Sequence, residues 1–180
     1  MQTFIDTSTQ KVYAFNDDVT VTDSGGIYSF ATAAGMLLKL PTTLQPYTVP
    51  APTAAQLLAQ AKAAQIAIIT QACAAAITSG FASSALGRAH TYPSSPTDQT
   101  NLVTHVMSSL LPGLPSTWAT PYPCCDANGV WGSKEHTASQ IQQVGADWKA
   151  FLSSCLLKKR ALEDKIKLAK TVGKVQALAW

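Results

Sequence analysis

Apolar and polar residues alternate over the first forty positions, and then the spacing changes to that of helices. Thr3-Phe4-Ile5 and Lys11-Val12-Tyr13-Ala14-Phe15 are β-rich runs joined across the polar turn Asp6-Thr7-Ser8-Thr9. Val19-Thr20-Val21-Thr22 and Ile27-Tyr28-Ser29-Phe30 form a second pair around Asp23-Ser24-Gly25-Gly26, a strong hairpin signal. The alternation predicts buried faces carrying Val12 and Ala14, then Val19 and Val21, then Tyr28 and Phe30. A further short strand is expected over Met36–Leu40. Together these make an antiparallel sheet of about four or five strands, too small to stand alone. It is expected to pack on a neighbouring helix, a second copy or a fibre.

Pro41, Pro46, Pro50 and Pro52 then enforce an extended, semi-rigid link over 41–52. Thr53 opens a helix running to about Ser79, with Leu58, Ala61, Ile66, Ile69, Cys73, Ala76 and Ile77 at helical spacing. Its alanines fit two readings: close helix–helix approach, or high helix propensity alone. Gly80 suits a left-handed C-cap. Phe81–Ser84 and His90–Tyr92 read as a hairpin around Leu86-Gly87, and Ser95-Pro96 caps a helix expected to reach Leu111. That helix carries Leu102, Val103, Val106, Met107, Leu110 and Leu111 on its apolar side. Pro115, Pro121 and Pro123 predict irregular or edge-like chain through Tyr122. Asp126-Ala127-Asn128-Gly129 is a turn, Trp131 lies on the returning strand, and Thr137–Gln140 is a capping box for the last long helix.

That last helix, about 138–169, places Gly145, Trp148, Leu152, Cys155, Lys159, Leu162, Ile166 and Ala169 at alternating steps of three and four, the coiled-coil period. A short helix follows Thr171, and Trp180 is expected to tuck against the body or a neighbour. A hairpin, a His-Thr pair and a capped helix occur twice, at His90-Thr91 and at His136-Thr137. The echo predicts that both hairpins join one small sheet with helices on one face. The fold class is therefore α+β: an N-terminal antiparallel sheet over 1–40, a Pro-rich linker over 41–52, and a helical domain with two β-hairpins and a long C-terminal helix over 53–180.

Composition narrows the function classes. Only 13% of residues are charged, about half the usual share, which suits surfaces that dock with little charge to desolvate. A net charge of +3 is too small to argue for nucleic acid. Lys158, Lys159, Arg160, Lys165, Lys167, Lys170 and Lys174 make the last quarter locally basic, a solvated face or a contact for an acidic partner. The four cysteines, Cys73, Cys124, Cys125 and Cys155, follow no apparent signal sequence, so reduced thiols are expected. No uninterrupted apolar run reaches the length of a membrane span.

Few residues combine into chemistry. Cys124 or Cys125 with His136 and Asp126 supplies nucleophile, base and orienting group, but adjacent cysteines match no protease pattern. The scattered His90, His105 and His136 lack metal-ligand spacing. Ser24-Gly25-Gly26 has no lysine partner for phosphate. Asp126 and Glu135 could form a carboxylate pair, with Trp118, Tyr122 and Trp131 as sugar-contacting aromatics or as core cover. No cofactor or metal is expected from these patterns.

The stretch from Gly80 to Leu102, GF-x-SSALG-x-x-HTYPS-x-x-TDQ-x-NL, resembles the signature of a domain of unknown function found in bacteriophage and prophage tail proteins. His136-Thr137-Ala138-x-Gln140-Ile141-Gln142-Gln143-Val144-Gly145 is similar to that domain's second signature. The two frame about half of the chain, roughly Pro52 to Lys170, and the opening Met1–Thr7 with Val12–Phe15 loosely resembles small tail proteins. The resemblance implies a virion-tail setting, with synthesis in the host cytoplasm and other fibre or baseplate proteins as partners. The expectation is a non-enzymatic tail protein acting by docking, multi-copy or homo-oligomeric, without nucleic acid or membrane. The alternative is a fibre assembly chaperone that does not stay on the virion. On physical grounds the docking residues are expected on the small sheet (Phe4, Val12, Tyr28) and along the last helix and tail (Trp148, Leu152, Leu162, Ile166, Trp180).

Overall fold

The computed structural model describes residues 1–37 and 39–180, and the chain divides into two compact units, Met1–Thr53 and Ala54–Trp180. It is a mixed α+β protein with small antiparallel sheets and four helices among the described residues.

In the first unit, β1 (Gln2–Asp6), β2 (Val12–Phe15), β3 (Thr20–Asp23), β4 (Tyr28–Thr32), β5 (Gly35–Met36) and β6 (Leu44–Pro46) form two three-stranded sheets, ordered β2-β1-β6 and β3-β4-β5. The single sheet of four or five strands is thus replaced by two sheets sharing a core of Phe4, Phe15, Val19, Phe30 and Leu44. Phe15 stacks on Phe30 at 4.3 Å, and Phe4 meets Phe30 edge-on at 4.9 Å. Such pairs add to burial because ring faces and edges carry opposite partial charge. The unit supplies its own second layer, so its sheet needs no outside partner to cover Phe4 and Phe30.

Three further expectations change here. On β2 the inward positions are Tyr13 and Phe15, while Val12 and Ala14 are exposed. All four residues are apolar or amphipathic, so alternation could not set the phase, and the larger rings remove more area from water. Part of the proline-rich segment 41–52 is strand: Phe4 pairs with Pro46, Ile5 with Gln45 and Asp6 with Leu44, whose side chain is fully buried. Pro46 is tolerated because β6 is an edge. Of the strand expected over 36–40, Gly35–Met36 is observed and Leu38 lies outside the described residues.

Asp6 locks this unit. Its carboxylate accepts from Thr43, from Ser8 Oγ at 2.7 Å and N at 2.9 Å, and from Thr9 Oγ1 at 2.6 Å. The hydroxyls, Thr43 foremost, hold its pKa far below the usual carboxylate range against the opposing effect of burial.

The second unit runs α1 (Ala54–Thr78), β7 (Phe81–Ser83), β8 (His90–Tyr92), α2 (Pro96–Ser108), β9 (Ala119–Cys125), β10 (Trp131–Thr137), α3 (Ala138–Leu168) and α4 (Val172–Gln176). Both hairpins join one antiparallel meander, β10-β9-β8-β7, as the repeated His-Thr pattern predicts. Gly80 reverses the chain after α1 with φ +102°, and a Cβ there would meet Tyr92 O at 3.0 Å. Capping boxes form at Ser95/Asp98 and Thr137/Gln140, with Pro96 in the first turn of α2. These are local features, set by residues within one turn of each other.

The chain expected to be irregular or edge-like through Tyr122 is a seven-residue strand, Ala119–Cys125, that accommodates Pro121 and Pro123. It pairs along its whole length with β10 but meets β8 only at Thr91–Cys125. The prolines therefore lack an N–H only where no neighbouring strand asks for one. One sheet face carries Phe81, Ser83, His90, Tyr92, Thr120, Tyr122, Cys124 and His136, all buried. Against it lie Leu102 of α2 and Ile141, Val144 and Trp148 of α3. Farther along, α3 runs antiparallel to α1: Cys73 Sγ lies 3.7 Å from Cys155 O, and Lys62 Nζ lies 2.6 Å from Lys167 O. A second core, Ile69, Ile166 and Val175, joins α1, α3 and α4.

Candidate functional site

The buried sheet face of the second unit gathers the residues with most chemical potential, and its hydrogen bonds define what each can do. His136 donates from Nδ1 to Lys134 O at 2.8 Å, which leaves Nε2 as an acceptor for Tyr92 O–H at 2.8 Å. His90 repeats the first half of this pattern, donating from Nδ1 to Arg88 O at 2.9 Å. Its Nε2 is buried with no hydrogen-bond partner among the described residues. His105 Nδ1 shares a 2.8 Å bond with Thr120 Oγ1, and Tyr122 O–H donates to Asp98 O at 3.0 Å.

Burial sets the proton states. Desolvation lowers the pKa of His136, outweighing its bond to Lys134, so the ring is neutral. Desolvation likewise pushes Tyr122 up to about 12 and Tyr92 higher still. These are groups held neutral and bonded, the condition for a stable buried polar layer.

The cysteine set does not assemble into a nucleophilic site. Burial pushes the Cys124 thiol up, away from the thiolate that would attack. Both described bonds of His136 go elsewhere. Asp126 accepts from Asn128 N at 2.9 Å and Val130 N at 3.0 Å, shaping the turn, and these bonds lower its pKa. All four cysteines are free and buried.

A serine, a histidine and an aspartate do come together where sequence reasoning had not looked. Ser83 is paired across the sheet with His90, and Ser83 Oγ donates to Asp147 Oδ2 at 2.6 Å beside an open cleft of about 420 Å³. The order is wrong for acyl transfer, in which the imidazole must stand between hydroxyl and carboxylate. Here the serine donates straight to the carboxylate, and the imidazole donates to a backbone carbonyl. Asp147 also accepts from Gln143 Nε2 at 2.8 Å. The geometry is a clamp that ties α3 to β7.

The predicted docking residues are largely interior. Phe4, Trp148 and Ile166 are buried in the cores of their own units. Tyr28, Leu152, Leu162 and Trp180 are half-buried against those cores, with Lys158 Nζ 4.6 Å above the Trp180 ring. Only Val12 faces outward. The three–four spacing on α3 is real, but α1, α2 and the sheet fill that seam from within the chain. An intramolecular helix packing needs the same period as a coiled coil.

What does face outward is α2. Of its six apolar positions only Leu102 is buried; Val103 and Met107 on the helix, and Leu110 and Leu111 just beyond it, are each more than half exposed. Val103 and Met107 border an apolar groove of about 380 Å³ between α2 and α3, floored by Val106, Gly145 and Trp148, with Lys149 as the one charged residue among its described lining. A Cβ on Gly145 would lie 2.8 Å from Val106 Cγ2, so the glycine permits the close approach of the two helices. The signal was present in the sequence: those six residues span about half the helix circumference at 100° per residue, more than one packed face can cover.

Residues 60–179 match the profile of a protein family described as a domain of unknown function, DUF4376. The match spans nearly all of the second unit and none of the first. A comparison with curated proteins and one with solved structures each return no match.

Proposed function

Taking as premise that the chain belongs to the DUF4376 family, we propose that it is a non-enzymatic structural protein of a phage tail, working by docking onto a fibre or baseplate protein. The uncovered apolar strip of Val103, Met107, Leu110 and Leu111 beside the α2–α3 groove carries this reading. Contiguous exposed apolar residues of this kind mark interaction surfaces on soluble proteins. The tail setting rests on the resemblance of Gly80–Leu102 and His136–Gly145 to tail-protein signatures. The bonding of the histidines, Ser83 and Asp126 supports a framework role for the polar residues.

The same exposed strip also favours a second reading, an assembly chaperone that holds a fibre protein during folding and then leaves. Quantitative mass spectrometry of purified particles separates the two. A fixed stoichiometry relative to the portal is expected for the structural role. Absence from particles, with co-purification of a fibre protein from infected cells, would select the chaperone. Absence from both would overturn docking in the tail altogether. The variant Met107→Lys/Leu111→Lys is expected to reduce incorporation at least tenfold while leaving far-UV circular dichroism unchanged.

A further inference from the structure

The 25 residues of α1 turn one side toward their own unit, burying Gln65, Ile69 and Cys73, yet only 17% of its most apolar 18-residue window is buried. A second line of positions lies about a third of a turn away around the helix. It runs Leu57, Ala61, Ala64, Ile68, Gln71 and Ala75, at steps of four and three. That is the coiled-coil period. Leu57 and Ile68 are 47% and 53% exposed, and Ala64, Gln71 and Ala75 are exposed as well. α1 contains no acid, and its single base, Lys62, sits on the far side from this line with its ammonium on Lys167 O.

We propose that this outer line of α1 is an interface between two copies of the chain, with the two helices antiparallel about a two-fold axis at Ile66. Three physical arguments choose that occupant. The line is uncharged, so a second copy meets no like charge, and a charged partner would find no complement. Side-chain size is self-complementary in one orientation only. An antiparallel pair sets Leu57 against Ala75, Ala61 against Gln71 and Ala64 against Ile68, large against small at every level. A parallel pair sets large on large and alanine on alanine, alternating crowding with voids. Antiparallel helix dipoles also attract.

The length agrees. A helix of 25 residues is about 37 Å long, and two such faces in contact bury on the order of 1,000 Å² in total, the lower bound of a specific interface. A lipid surface fits less well. Gln60, Thr70 and Gln71 are exposed along α1 and would enter hydrocarbon without partners, while Gln65 is tied to Leu178 O at 2.6 Å. The inference stands on α1 alone and is independent of the tail reading, since it concerns the purified protein.

Sedimentation equilibrium of the full chain across its soluble concentration range tests it. The wild type is expected to approach a dimer, and Ile68→Lys to remain monomeric with unchanged far-UV circular dichroism, because Ile68 is exposed. Should Ile68→Lys fail to fold, Ala75→Glu on the same line provides the same test. An equimolar mixture of Ala64→Cys and Ile68→Cys proteins is expected to cross-link on mild oxidation at least five times more than either alone. A monomeric wild type, or a dimer that survives both charge substitutions, overturns the proposal. Cross-linking of either single variant as fast as the mixture overturns the antiparallel register. Binding of a monomeric wild type to phosphatidylcholine vesicles, lost in Ile68→Lys, would assign the face to lipid instead.

Discussion

In the unit 1–53, Phe4, Phe15 and Phe30 meet Leu44 between two small sheets, and Phe4 and Tyr28, both expected to dock, close on one another. In the unit 54–180 the apolar residues form two cores, and α1 and α2 still leave Leu57, Ile68, Val103 and Met107 uncovered. The difference is geometric. Two facing sheets cover each other's inner sides completely, whereas a helix in contact with one neighbour buries a stripe and exposes the rest of its circumference. Apolar residues spread around a helix therefore leave a surface.

The comparison breaks most visibly at Phe30. Phe30→Ala removes the ring that touches both Phe4 and Phe15 and is expected to cost about 3–5 kcal/mol. Hydrogen exchange should show protection lost across 1–53 and retained in α1 and α3. Loss of protection in both units together would mean that they do not fold separately.

Within the second unit, His136 and His90 share one backbone bond and differ in one partner. Tyr92→Phe keeps the ring stack but leaves His136 Nε2 as orphaned as that of His90, and a loss of about 1–3 kcal/mol in denaturant unfolding is expected. The pH dependence has a defined sign. His136 is depressed in the folded state, so its contribution is present above the unfolded value of about 6.5 and is lost as pH falls toward the folded value. Tyr122 is raised to about 12, so its contribution is present below about 10 and is lost as pH rises through the folded value. Replacing His136 with Gln should flatten the acid limb. An unchanged acid limb would remove His136 as its source.

A smaller effect is expected at Gly145. Gly145→Ala gains helix propensity of about 1 kcal/mol, but its Cβ falls on a stiff, β-branched Val106, and such overpacking costs about 1–3 kcal/mol. A net loss of about 1 kcal/mol is expected, recovered when Val106→Ala is added. Smallest of all, Val103→Thr on the exposed strip should stay within about 0.5 kcal/mol of wild type by thermal unfolding. A larger loss would show that the strip is part of the core.

Much of the local architecture was legible in the residues. The hairpin turns at Gly25-Gly26, Gly87 and Gly129, the left-handed Gly80, and the caps at Ser95 and Thr137 all depend on contacts within a few positions, which a chain specifies regardless of its surroundings. The candidate docking surface was harder to read. The heptad on α3 was visible, but its filling by α1 and the sheet was not, because period tells which residues share a face and not what covers it. The line Leu57–Ala75 on α1 was masked by the overlapping inner line of the same helix.

By itself, then, the sequence determined most of the elements, the capped helix starts and the α+β class, since these follow from propensity, turn chemistry and short-range hydrogen bonds. Only the tertiary structure decided the phase of β2, the return of Leu44–Pro46 to β1 and the strand through Pro121 and Pro123. It also decided which apolar faces meet within the chain and which are left for others. Those outcomes depend on competition among residues far apart in sequence for a limited buried volume, and no local pattern ranks the competitors.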